Sequence, residues 1–190
     1  MSEGGEQETG YIKTTTHNYV SRQAKIEGAK QVEIKGRSIL QDGVTVRGDL
    51  AIIRIGRYCE INSGTTLEPS ISPMFNPTTM TDDNPNKYIP MVIGSHTHIG
   101  TNCKIQSAAI GSMVYIGNDV KIGKRCIIKD NCIIEEGVEI GDDTVIPPFT
   151  RITKLNPKSV YNELPPSIAV ELQNKSLDRF QQFRQAQRVV

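Results

Sequence analysis

Residues 110–152 read IGSMVYIGNDVKIGKRCIIKDNCIIEEGVEIGDDTVIPPFTRI, and Ile110, Ile116, Ile122, Ile128, Ile134, Ile140, Ile146 and Ile152 recur in it every six residues without a gap. Working outward toward the N-terminus, the same spacing holds in shorter frames: Ile93, Ile99 and Ile105; Ile55, Ile61 and Leu67; Ile34, Leu40, Val46 and Ile52. The frames join by slips, one of them a single residue between Ile105 and Ile110. Two further positions keep phase. Glycine follows the aliphatic anchor at Gly56, Gly94, Gly100, Gly111, Gly117, Gly123 and Gly141. Four residues after the anchor stands something small, as at Cys59, Thr65, Thr97, Cys103, Val114, Val120, Cys126, Cys132 and Val138. A period of six fits neither an amphipathic helix nor alternating hairpin strands. It fits an all-β solenoid whose triangular coil carries three short strands, each turning one aliphatic side chain inward and stacking on the next coil at strand spacing. β-branched isoleucine suits such a half-buried pleated surface. The expected role of the glycine beside each anchor is to adopt backbone angles that other residues resist.

Outside the repeat the reading is coarser. Residues 1–10 read as a polar, disordered tail and residues 11–33 as an irregular cap before the first coil. Residues 68–90 interrupt the period with Pro69, Pro73, Pro77, Pro85 and Pro90 and with Asp82, Asp83, Asn84 and Asn86, so they read as a loop inserted at a coil corner. Its apolar residues, Met74 and Phe75 foremost, are candidates to dock on a partner. Past about residue 155 a linker leads through Pro165 and Pro166 to a C-terminal α-helix running to about Arg188, with Ser167 as its N-cap. Leu172, Leu177, Phe180, Phe183 and Ala186 form an imperfect apolar stripe that should lie along the β-helix flank, which makes Phe180 and Phe183 candidate structural or interface residues.

The chain has 22 basic and 21 acidic residues, which argues against a nucleic-acid binder and removes a polybasic membrane signature. The acidic start at residues 1–6 has no charged-then-apolar leader and no apolar run is long enough to span a bilayer, so a cytoplasmic protein is expected. Tryptophan is absent, and the core must be built from small aliphatic side chains.

Few residues carry obvious chemistry. The four cysteines all fall on the small position of the hexad with no C-x-x-C pair, so packing is expected, without zinc or disulfides. His96 and His98 flank an inward Thr97 and should both face outward; a third metal ligand is not visible beside them. No cofactor is expected.

Arg47-Gly48-Asp49, followed by Ile52-Ile53-Arg54-Ile55-Gly56, resembles the γ-class carbonic anhydrases and their hexapeptide-repeat relatives. That resemblance implies a left-handed parallel β-helix and an Arg47–Asp49 ion pair near a subunit boundary. It also allows a direct comparison with that family's zinc site. Residues 55–68 and 99–111 keep the family's spacing, with Gly56, Gly64, Gly100 and Gly111 matched, yet the three ligand histidines are replaced by Glu68, Thr101 and Gln106. A zinc hydrolase needs three protein ligands around an ion that acidifies a bound water. The expectation is a scaffold without catalytic, cofactor or metal residues. The enzyme alternatives are a hexapeptide acyltransferase, for which His96 or His98 is the candidate base, or a γ-class carbonic anhydrase-like enzyme.

Tyr11-Ile12, Val20-Ser21-Arg22-Gln23, Val46-Arg47-Gly48-Asp49-Leu50-Ala51, Val145-Ile146-Pro147-Pro148-Phe149-Thr150 and Glu163-Leu164-Pro165 narrow the match, because in that order they resemble the dynactin subunit 5 family. The likeness runs from Tyr11 to the C-terminal helix and departs in the tail and in the 68–90 loop. It implies a non-catalytic scaffold of the dynactin pointed-end complex that supports dynein-dependent endosome transport. The implied partners are the paralogous β-helix subunit 6, the pointed-end actin-related protein, subunit 4 and cargo adaptors, in a cytoplasmic, cytoskeleton-associated setting.

Overall fold

In the computed structural model, residues 10–81, 84, 87–154 and 162–187 are described. They form a left-handed parallel β-helix of six coils with one C-terminal helix, Ile168–Ala186. The expectations for the first nine residues, for Asp82, Asp83, Pro85 and Asn86, for most of the linker and for Arg188 lie outside the described residues.

Three parallel sheets form the walls. Along the first, the inward ladder is Val20, Leu40, Ile61, Ile99, Ile116, Ile134 and Ile152, each beside its neighbour one coil away. The second stacks Ile34, Ile55, Ile93, Ile110, Ile128 and Ile146. The third stacks Ile26, Val46, Leu67, Ile105, Ile122 and Ile140. Nearly all of these side chains are fully buried in one continuous cluster. No coil could enclose its own apolar face, so stacking supplies the core.

Two parts of the repeat work differently from the sequence reading. The glycines after the anchors do not take left-handed backbone angles; the residue two places further on does, as at Tyr58, His96, Asn102, Met113, Asp119, Arg125, Asn131, Asp143 and Phe149. The glycines serve close approach between coils. A Cβ on Gly100 would stand 2.6 Å from the Gly117 carbonyl carbon, and one on Gly117 2.6 Å from the Glu136 nitrogen. Gly141, just after the terminal strand Glu139–Ile140 of its sheet, has nothing within 4 Å of that position.

Polar side chains stitch the corners together. Arg57 N–H donates to Ser95 Oγ (3.0 Å), Ser95 N–H to Ser112 Oγ (3.1 Å) and Ser112 N–H to Asp130 Oδ1 (2.7 Å). The small position donates as well. Thr65 Oγ1 reaches the Gly100 carbonyl at 2.7 Å, and the thiols of Cys59, Cys103 and Cys126 reach the carbonyls of Gly94, Gly117 and Gly141 at 3.0–3.1 Å. The backbone carbonyls of these four glycines therefore have partners, which buried polar groups require.

The N-terminal region is not an irregular cap. Tyr19–Ser21 and Lys25–Glu27 already belong to the first and third sheets, and Tyr11–Lys13 folds back antiparallel on Tyr19–Ser21 to cover the end of the first. Ile52 does not point inward: it is 37% exposed, while Ile53 and Ile55 are buried. The early coils pair residues 21 apart, as Ile34 with Ile55 and Val46 with Leu67, whereas Ile116 pairs with Ile134, 18 away. The extra residues sit around Gly48–Ala51 and shift the phase that a strict six-residue count predicts. The one-residue slip after Ile105 is absorbed by buried Ser107, with Ala108 and Ala109 both donating to the Cys126 carbonyl.

The loop after Leu67 is pinned at its base. Ile71 bridges Tyr88 antiparallel, Ser72 N–H donates to the Lys87 carbonyl (2.8 Å), and Ile89 N–H to Ser70 (2.9 Å). Buried Ser70 ties this root to the body through the Gln106 carbonyl and the Arg125 amide.

The helix begins after Ser167 as expected, but the Ser167 side chain makes no capping bond. The first-turn amide of Ile168 instead donates to the Pro165 carbonyl at 3.0 Å. The buried stripe is Ile168, Leu172, Ser176 and Phe180, at four-residue spacing. Leu177 and Ala186, expected in the stripe, are half-buried and exposed respectively, and Ser176 takes the central place. Among the described residues no helix is long and apolar enough to cross a membrane.

Candidate interaction surfaces

The three sheets present three different outer faces. On the first, the outward ladder is Tyr19, Ile39, Glu60, His98, Tyr115 and Ile133. The helix lies along it. At one end Leu164, Ile168 and Leu172 pack with Met113, Tyr115, Ile133 and Phe149. At the other, Phe180 and Phe183 enter an aromatic cluster with Tyr11, Tyr19 and Tyr58. Phe180 meets Tyr58 edge-on at 5.7 Å between centroids, and Phe183 meets Tyr11 at 5.0 Å and Tyr19 at 5.3 Å, separations at which such rings attract. The structure thus buries Phe180, 6% exposed, and half-buries Phe183 against the same cluster.

The histidines do face outward, but not into open solvent. His96 Nδ1 is 2.7 Å from Ser176 Oγ on the helix, and the ring stacks on Tyr58. His98 Nδ1 is 2.9 Å from Glu60 Oε2, and its ring stacks on Tyr115 at 4.9 Å between centroids. Burial pushes the His96 pKa below its ordinary value. Burial opposes the charge of Glu60, yet the His98 hydrogen bond and the positive charges of His98 and Arg179 outweigh it and hold the carboxyl below the usual range. The expectation of a free outward pair fails because a helix more than sixty residues downstream covers that face. No spacing within the repeat announces it; only the aromatic residues Tyr19, Tyr58 and Tyr115 at outward or corner positions hint at a cover.

On the third face the ladder is Thr45, Thr66, Lys104, Lys121 and Glu139, with a Lys121–Glu139 ion pair at 2.6 Å. Arg47 lies at its N-terminal end. Its guanidinium holds Asp49 in two hydrogen bonds, 2.9 and 2.8 Å, and reaches Glu27 at 2.8 Å. The paired Arg47 lowers the Asp49 pKa. The second face runs Glu33, Arg54, Val92, Ala109, Ile127 and Val145. Val92 and Val145 are exposed there.

The remaining sequence candidates do not converge. Met74, 83% exposed, and Phe75, under the Lys87 ammonium at 5.3 Å from its ring centre, lie on the loop that leaves the third sheet and re-enters at the second. Of the three residues compared with zinc ligands in the sequence, Gln106 Nε2 donates to Glu68 Oε1 at 2.8 Å, so the two side chains satisfy each other; the Thr101 amide donates to Asn118 Oδ1 at 2.9 Å in a corner. All four thiols are buried, and burial pushes those of Cys59 and Cys132 up to about 11. At that value little nucleophilic thiolate forms.

Six stacked coils, hexad anchors on all three walls and a helix braced along one face define a hexapeptide-repeat β-helix protein. A hexapeptide transferase family protein from Anaplasma phagocytophilum has this fold: its solved structure superposes with a TM-score of 0.59 at 16% identity, covering 88% of this chain and 91% of that one. The family is given by sequence. The model of the dynactin subunit 5 family matches residues 3–188, and the chain belongs to that family. A Dictyostelium discoideum protein named dynactin subunit 5 is 38% identical over 102 residues, 54% of this chain. The match spans about half of that relative, 48% of its length.

Proposed function

We propose that this chain is a non-catalytic scaffold subunit of the dynactin pointed-end complex, cytoplasmic and cytoskeleton-associated, supporting dynein-dependent endosome transport through protein contacts. Its partners in this reading are the paralogous β-helix subunit 6, the pointed-end actin-related protein, subunit 4 and cargo adaptors. Arg47, Asp49, Met74 and Phe75 are the contact residues this reading favours. One observation carries the non-catalytic part: His96 and His98, the candidate bases of an acyltransferase, are held under the helix by Ser176 and Glu60. A general base must reach its substrate's proton within hydrogen-bond distance. The Glu68–Gln106 hydrogen bond supports the same reading at the positions where the carbonic anhydrases carry zinc ligands. Rigid walls with distinct faces suit a subunit that holds several neighbours at once.

The test is affinity purification of the tagged full chain from its native cells, with quantitative mass spectrometry and metal analysis. Stoichiometric recovery of the other dynactin subunits is expected. Recovery as a self-associated trimer carrying zinc overturns the proposal.

A further inference from the structure

A cleft of about 490 Å³ opens where the N-terminal hairpin, the first coils and the end of the helix meet. Its volume lies in the range of formed ligand sites. Its charge is lopsided. Lys13, Arg37 and Arg184 line it together with His17, against one carboxylate, Asp178. Some cations elsewhere in the described residues are held in ion pairs, as in Arg47–Asp49, Arg125–Asp143, Arg151–Glu135 and Lys175–Glu171. Lys13, Arg37 and Arg184 have no ion pair among the described residues. Two of them rest on aromatic faces, Lys13 Nζ at 5.9 Å from the Tyr19 ring centre and Arg37 Cζ at 5.5 Å from that of Tyr58. Arg184 Nε is buried with no hydrogen-bond partner. A buried guanidinium nitrogen without a partner is costly, and Arg184 is among the residues that line the cleft.

The floor is apolar, made by Tyr19, Tyr58 and Phe180. The cations stand on three separate elements around it: Lys13 on the hairpin strand, Arg37 at a coil corner and Arg184 in the last turn of the helix. The strand Tyr11–Lys13 is also the terminal strand of its sheet, with Ile12 half exposed. Such an edge accepts an extended segment.

We propose that this cleft binds an extended acidic peptide segment of a partner protein, its carboxylates meeting Lys13, Arg37 and Arg184 and its apolar side chains lying on the tyrosine–phenylalanine floor. Charge complementarity selects the occupant: a cationic rim over an aromatic floor matches a segment that alternates carboxylate and apolar residues.

The test uses the purified full chain and a fluorescein-labelled 12-residue peptide alternating glutamate and phenylalanine, read by fluorescence anisotropy at low salt. The same peptide with glutamine for glutamate should bind about tenfold more weakly, as should Lys13→Glu or Arg184→Glu protein, since a hydrogen bond to a charged group has about that effect. Lys104→Glu, which removes an exposed cation from the third face, should leave affinity unchanged. Lys13 is exposed, so Lys13→Glu keeps the test decisive even if Arg184→Glu loosens the helix. Equal binding by wild type and Lys13→Glu overturns the proposal, as does no binding at millimolar peptide. Displacement by inorganic phosphate at submillimolar concentration also overturns it, reassigning the cleft to a phosphate ligand. The assay needs no other subunit, so its failure leaves the scaffold reading standing.

Discussion

The first and second sheets have the same backbone, the same coil spacing and the same inward isoleucine ladder, yet their outer faces meet different fates. The first turns Tyr19, Ile39, His98, Tyr115 and Ile133 under its own helix. The second turns Val92, Ala109, Ile127 and Val145 outward with no helix of this chain across them in the described residues. The inner ladder therefore builds the solenoid, and the outer ladder decides what each wall is used for. Large aromatic side chains distinguish the covered wall, because their area makes helix docking favourable; small and β-branched residues on the open wall leave little to grip.

Removing the grip should have the largest effect. Phe180→Ala deletes the ring that joins Tyr19 and Tyr58 to the helix, and a loss of about 3–5 kcal/mol is expected for a buried phenylalanine. Chemical denaturation measures it, and amide exchange across residues 168–186 should rise while the inner ladder stays protected. Uniform loss of protection would break the contrast between a braced wall and a self-sufficient coil.

The stacking shared by both walls is tested next by a pair of glycines. Gly117→Ala forces a methyl against the Glu136 backbone and should cost about 1–3 kcal/mol. Gly141→Ala meets nothing and should stay within about 0.5 kcal/mol of wild type. Equal costs would mean that the glycines act through backbone angle after all.

Acid should separate the walls further. The folded-state pKa of His96 lies below its ordinary value, so the unfolded chain binds the proton first, and stability falls as pH drops below about 6.5. Glu60, also depressed, contributes stability above the ordinary glutamate value that is lost as pH falls through its lower folded value. Both groups sit under the helix. Near-ultraviolet circular dichroism of the tyrosines should report helix release in acid, and His96→Gln should flatten the upper part of that profile. The smallest effect belongs to the open wall: Val92→Ser should shift stability by less than about 0.5 kcal/mol in the isolated chain. A larger loss would show that the wall is covered in solution.

Much of this was legible in residue order. Eight isoleucines in phase leave one architecture, because a coil with three inward side chains repeats its environment every six residues. The cysteines at the small position packed as read, and the one-residue slip at Ile105 was real. The phase failed at Ile52, where three extra residues in the coil moved the inward anchor to Ile55. It failed again over residues 11–33, where the early coil has few isoleucines to mark it. The role of the glycines was misplaced because closeness between coils involves residues about eighteen apart, which a local reading does not contain.

The sequence by itself determined the coil and its inward ladder, since each follows from residue type at fixed spacing. Only the tertiary structure decided which outward wall carries the helix, that His96 and His98 lie beneath it, and that Lys13, Arg37 and Arg184 surround one cleft. Those juxtapositions join residues distant in the chain, as His96 with Ser176, 80 positions on. They depend on which face buries the most aromatic area, a choice that a six-residue period leaves open among three equivalent walls.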